Sequence, residues 1–222
     1  MVFTAPNSVS TISFCLIVLC VVLELFAAVW MTGTPKRLNV YLLTGIWLLA
    51  FSSVILSGLV TQLPFAPVMI VLSLVLPSLL GLSSTGGQIA ELPLKYFVFF
   101  QTFRLPLELI LHGWAINGTI PNTMTWSGSN FDIIAGATAL IVYRIADKSR
   151  LAVWIFNVLG IALLLNVIRV ALMSSPFPFA WQVEPPLQLI FHLPYALIVP
   201  VCVGGAFGGH VILTRALIKQ RQ

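Results

Sequence analysis

Seven apolar runs, near 10–31, 40–60, 65–83, 96–116, 131–146, 151–173 and 188–214, set the limits on what this chain can become. A helix needs about 20 mostly apolar residues to cross roughly 30 Å of hydrocarbon. The runs are continuous rather than alternating, which argues against a β-barrel. The chain of 222 residues is 59% hydrophobic and only 8% charged. Soluble domains hold nearer 45–50% apolar and about 25% charged residues. An ordinary soluble enzyme, a disordered chain and a secreted disulfide scaffold are therefore excluded. The expected fold is an all-α integral membrane protein, one transmembrane domain over 1–222 with about seven helices. The third run is the most interrupted, by Pro64, Pro67 and Pro77. Prolines are tolerated in membrane helices where neighbours satisfy the freed carbonyls.

Charge placement supports this count. Lys36, Arg37, Lys95, Arg144, Lys148, Arg150, Arg215, Lys219 and Arg221 all fall on one side of a seven-span arrangement. The opposite loops, 1–9, 61–64, 117–130 and 174–187, hold no Lys or Arg. The positive-inside rule then puts the N-terminus outside and the C-terminus in the cytoplasm, in a cell inner membrane. Residues 1–9 carry no basic segment, so the first run reads as a retained helix rather than a cleaved signal. The formal charge of +5 is too scattered between apolar runs to track a phosphate backbone, so no nucleic-acid partner is expected. Cys15, Cys20 and Cys202 form no CxxC pair and read as small hydrophobes.

Ionisable residues inside the runs are costly at bilayer depth and must face protein or water. Gln101, Arg104, Glu108 and His112 are spaced by 3, 4 and 4, so they share one helical face. Arg104 and Glu108 lie one turn apart and are expected to pair. Pro106 frees a carbonyl near residue 102 that Arg104 is also placed to take. Glu24 in the first run has no local partner, and Arg104 is its candidate. Arg169 is placed to snorkel outward from the sixth run. Asp132 follows Ser129 as Ser-x-x-Asp, which reads as a capping box. In the last run Gly204/Gly208 and Gly205/Gly209 form two GxxxG registers, which permit close helix contact and suit a partner subunit or a homo-oligomer. His192 is expected near the outer surface and His210 near the inner one. No cluster supplies a metal site of three or four ligands. His112 and His192 are the candidates for two axial haem ligands.

Two resemblances add to this reading. Ser127-Gly128, Asn166-Val-Ile-Arg169 and His192 resemble, in order and sidedness, the outer-face site of exosortases. The resemblance implies a membrane-embedded enzyme with Ser127, Arg169 and His192 converging at the outer face. That family uses a Cys-Gly motif, whereas position 127 is Ser, which needs a base to act as a nucleophile. Separately, Gln101-Thr-Phe-Arg104, Met124-Thr-Trp-Ser-Gly-Ser-Asn-Phe-Asp132-Ile and Leu193-Pro-Tyr-Ala-Leu-Ile-Val-Pro200 resemble an uncharacterised family of small bacterial multi-pass membrane proteins. That resemblance implies a bacterial source and no particular activity. The functional expectation is a multi-pass membrane protein with a buried Arg/Glu/His network, acting as an accessory subunit or a small carrier in the lipid bilayer. An exosortase-like enzyme and a haem protein remain the alternatives.

Overall fold

The computed structural model describes residues 3–62 and 65–220. Pro64 and Arg221 lie outside the described residues. The described residues are helical with no strand. Five helical segments are long and apolar enough to cross a membrane: Ser8–Met31, Arg37–Leu56, Phe65–Leu82, Arg150–Ser174 and Tyr195–Lys219.

Helix α1 (Ser8–Met31) starts where Asn7 Oδ1 accepts the Ser10 N–H at 2.9 Å. This cap satisfies one of the donors that every helix N-terminus leaves free. Helix α2 (Arg37–Leu56) returns antiparallel, with the Tyr41 hydroxyl donating to the Phe26 carbonyl at 3.1 Å. Gly58, at φ 74°, makes the left-handed turn that stops it.

Helix α3 (Phe65–Leu82) contains Pro77, which removes the N–H that the Ser73 carbonyl would otherwise receive. That carbonyl faces Gly204, where a Cβ would collide with it. The short α4 (Ser84–Ile89) follows, with Ser83 as its N-cap. Next, α5 (Leu94–Phe100), a 3-10 turn at Gln101–Phe103 and α6 (Arg104–Ile116) run on as one interrupted helical segment. Helix α7 (Ile133–Val142) is short, and α8 (Arg150–Ser174) is the longest. The last segment passes from a 3-10 turn (Tyr195–Ile198) through a π-helical turn (Val199–Val203) into α9 (Gly204–Lys219).

Helical segments thus occupy all seven apolar runs, but the last starts later and ends later than the hydropathy predicts. Residues 188–194 form a loop with one 3-10 turn, because Pro194 and Pro200 delay the regular helix. The shift carries His210 away from a helix end and into the middle of the segment.

The bundle has two chemically distinct ends. At one end Lys36 donates to Ser84, Arg215 to the Gly81 and Ser83 carbonyls, and Lys219 to Glu91. Lys95 pairs there with Asp147 at 3.3 Å, and Arg150 donates to the Leu217 and Gln220 carbonyls. At the other end Thr11 meets Tyr195, Trp114 meets Ser10, and Thr123 meets Ser174.

The glycines of α9 are used within the chain. Cβ atoms at Gly208 and Gly204 would meet Pro77 and Ser73 of α3, and at Gly205 and Gly209 would meet Val21, Phe100 and Gln101. Both GxxxG registers therefore serve packing within the chain.

Candidate functional site

The site is a chain of buried polar side chains from α6 to α9. Arg104 is 1% exposed at the first turn of α6. Its Nε donates to Asp132 Oδ2 at 2.7 Å, and its Nη2 donates to Asp132 Oδ1. Such a two-pronged arrangement matches the planar guanidinium to the carboxylate. Nη2 also reaches the Gly160 carbonyl at 3.4 Å, and Nη1 lies 3.0 Å from His210 Nε2.

A guanidinium only donates. His210 Nε2 must therefore be the acceptor, which places the ring proton on Nδ1. That proton goes to Asn157 Oδ1, 2.9 Å away. Asn157 Nδ2 donates in turn to Thr214 Oγ1 at 2.7 Å, and Thr214 to the His210 carbonyl at 2.9 Å. His210 is thus held as a neutral imidazole with both nitrogens used.

On the other side of Arg104, the Asp132 N–H donates to Asn130 Oδ1 at 3.0 Å. This fixes the orientation of the Asn130 amide. Its Nδ2 faces both oxygens of Glu108, at 3.0 and 3.1 Å, and the Met124 carbonyl at 3.1 Å. Glu108, at 2% exposed, meets no cation among the described residues.

Two glycines make the approach possible. A Cβ at Gly160 would lie 2.7 Å from His210 Nε2, and one at Gly136 would lie 2.8 Å from the Leu105 Cβ. Gly136 lets α7 lie against the backbone of α6, which brings Asp132 within reach of Arg104.

Several expectations are corrected by this geometry. Arg104 pairs with Asp132, not with Glu108, and its side chain does not take the carbonyl near residue 102. An Asp from a neighbouring element can meet the guanidinium fork end-on, whereas Glu108 points along the same helix face towards the 122–130 loop. Asp132 is not a capping-box partner of Ser129, because its carboxylate is consumed by Arg104 and caps no backbone N–H. Arg104 is likewise no partner for Glu24, whose Oε2 is buried without a hydrogen bond. Gln101 faces the interior, with Nε2 donating to the Ala206 carbonyl at 3.1 Å and Oε1 left without a partner.

His112 and His192 do not form an axial pair. His112 stacks on Trp126 and His192 on Phe3, each with ring centroids 4.0 Å apart. Among the described residues no group of three or more His, Cys, Asp or Glu side chains is placed to hold a metal ion.

Ser127, Arg169 and His192 are not brought together either. The Ser127 hydroxyl donates to Asn122 Oδ1 at 2.9 Å and contacts Thr125, and an amide oxygen is no general base. Arg169 is exposed, donates to Asn166 Oδ1 at 2.9 Å and lies over the Trp181 ring. Asn166 reaches the Ser129 carbonyl at 2.8 Å, so the Asn-x-x-Arg motif braces the 117–130 loop.

Sequence reasoning missed the partners that complete the site: Asp132 as the counter-ion, and Asn130, Asn157 and His210. The glycines at 136 and 160 were the available signal, since small residues in a membrane helix mark close approach.

Among the described residues, fold and site together define an all-helical bundle with five membrane-length helices and a buried Arg–Asp salt bridge. The chain belongs to the family described as Domain of unknown function (DUF8737), whose model matches residues 59–218. The matched stretch includes every member of the buried network described above. No curated protein and no solved structure is significantly similar to the chain.

Proposed function

We propose that this protein is a small carrier that exchanges a proton for a monovalent cation or protonated amine at Glu108. One observation carries the reading. The site holds two buried carboxylates, Asp132 and Glu108, against one guanidinium. Asp132 is neutralised by Arg104, and His210 is held neutral by its hydrogen bonds. Neutrality therefore needs one further positive charge at Glu108, since burying an uncompensated charge is expensive. The neutral Asn130 amide orients the carboxylate without supplying that charge.

The same network argues against a proton channel. Arg104 donates towards both Asp132 and His210 and accepts from neither. A proton cannot hop through it, so passage from one end of the bundle to the other requires the protein to move. That is carrier behaviour.

The reading places the chain in a bacterial cytoplasmic membrane with seven spans and the N-terminus outside. The gathering of Lys36, Lys95, Arg150, Arg215 and Lys219 at one end supports that orientation.

The test uses liposomes containing the purified protein and an internal pH-sensitive dye. With the interior acidic, external sodium, potassium or methylammonium should drive proton efflux. Glu108→Gln, checked for intact folding, should abolish it. Equal efflux in that variant would overturn the role of Glu108. No cation-driven efflux in the parent protein would favour the second reading, an accessory subunit. For that reading the network is a packing device joining α6, α7, α8 and α9, as its hydrogen bonds to all four elements allow.

A further inference from the structure

Among the described residues three buried oxygens have no hydrogen-bond partner, Thr119 Oγ1 in the 117–130 loop and, nearer the middle of the bundle, Glu24 Oε2 and Gln101 Oε1. Helix registers bring Glu24 and Gln101 to one level. The hydrogen bond from Trp114 Nε1 to Ser10 Oγ, 3.0 Å, fixes antiparallel α1 against the α5–α6 segment. Fourteen residues from Ser10 along α1 reach Glu24, and fourteen back from Trp114 reach Phe100, the neighbour of Gln101. Helices rise by about 1.5 Å per residue, so equal counts reach equal depth.

Parallel α1 and α9 give the same answer. Thr11 meets Tyr195 at an offset of 184 residues, and Val21 faces Gly205 at that same offset. Glu24 then lies level with Gly208. Gln101 bonds the Ala206 carbonyl, and its Nε2 would be 2.7 Å from a Cβ at Gly209. Glu24 lies three residues after Val21, on the same side of α1.

Both orphan atoms accept hydrogen bonds, and two acceptors cannot satisfy each other. A single donor placed between them would satisfy both. The charged and titratable groups on the surrounding elements do not supply it. Arg104 is committed to Asp132 and His210, and the His210 proton is committed to Asn157. Cys20 is exposed on α1 and Cys202 is buried one turn before Ala206.

We propose that Glu24 is a second proton-binding site, held as a neutral acid whose O–H donates to Gln101 Oε1. It lies on the side of the Arg104–Asp132 pair away from the 117–130 loop. Glu108 lies on the opposite side. The Glu24 site stands on orphaned atoms and helix register, and does not depend on charge exchange at Glu108.

The test is infrared spectroscopy of the purified protein in an ester-free detergent, in the Glu108→Gln background so that only Glu24 is read. The spectrum should contain the carbonyl band of a neutral, hydrogen-bonded carboxylic acid, sensitive to deuterium exchange. Glu24→Gln should remove that band, and Gln101→Leu should keep it but move it to the position of a free acid. Loss of no acid band in Glu24→Gln would overturn the proposal, because Glu24 would then be ionised. A band unmoved by Gln101→Leu would overturn the assigned partner. A second measurement covers a variant that folds poorly. A hydrophobic carbodiimide, which attacks neutral carboxylic acids in apolar surroundings, should modify Glu24 of the parent chain as read by mass spectrometry. Absence of that adduct on the folded parent protein would also count against the neutral acid.

Discussion

Arg104 is surrounded by groups that cannot be removed one at a time without consequence. Its guanidinium is the only positive charge facing Asp132 among the described residues. Removing one member of a buried ion pair leaves the other charge uncompensated, which costs about 3–5 kcal/mol. Arg104→Leu and Asp132→Leu should each lower thermal stability in detergent by that order. The double variant should lose much less, because two apolar side chains leave no orphan charge. A double variant as unstable as the sum of its parents would show that the pair contributes nothing as a pair. His210 is a different case. Replacing it with Phe leaves the Asn157 Oδ1 and one Arg104 N–H without partners. An unsatisfied buried polar group costs about 1–3 kcal/mol, so His210→Phe should be destabilised by that order, measured as a lower thermal midpoint. Gly160→Ala should be destabilised too, since its methyl group would intrude on the His210 ring.

Elements in this bundle are held by close backbone approach as much as by side-chain interdigitation. Helices α3 and α9 cross where Gly204 meets the Ser73 carbonyl freed by Pro77, and Gly208 meets Pro77 itself. Without a hydrophobic force between helices in lipid, such small-residue contacts supply the packing. Gly208→Val should force the helices apart and cost about 1–3 kcal/mol, the usual range for overpacking. Gly45→Val, where no atom lies within 4 Å of the added Cβ, should be nearly neutral. Equal melting of the two variants would show that the α3–α9 crossing does not limit stability.

These contacts also show which features the sequence made readable. The periodicity of 101, 104, 108 and 112 reported correctly that Gln101, Arg104 and Glu108 face inward, because that is a property of one helix. It misassigned the partner of Arg104, because the partner comes from a helix whose distance along the chain carries no spacing signal. Asp132 follows Arg104 by 28 residues and His210 by 106, and only the folded bundle brings them together. The GxxxG pattern likewise signalled close contact without saying with what. Each apolar run that hydropathy marked holds a helical segment, five of membrane-spanning length, but the start of the last is misplaced, because Pro194 and Pro200 hold residues 188–194 out of the regular helix.

At the scale of the whole molecule, charge placement governs how the bundle lies in the membrane. Contacts gather Lys36, Lys95, Arg150, Arg215 and Lys219 at one end, while the segments 117–130 and 174–187 at the other end carry no Lys or Arg. The basic end should stay on the cytoplasmic side, because translocating Lys and Arg is disfavoured. Single cysteines at Asn117 and Lys148, both exposed and at opposite ends of the bundle, test this directly. Cys15 and Cys20 face the exterior of α1 and would be replaced by alanine first. In intact cells a membrane-impermeant maleimide should label Asn117→Cys and leave Lys148→Cys unlabelled until the membrane is opened. The reverse pattern would invert the orientation while keeping the bundle. Labelling of both from one side would be incompatible with an odd number of crossings between these positions, and α7 would then have to lie within the protein without crossing. That outcome would also move Glu108 and Glu24 relative to the two aqueous phases. The carrier reading moves a proton and a cation between those phases, so it requires the Asn117 and Lys148 ends to face different compartments.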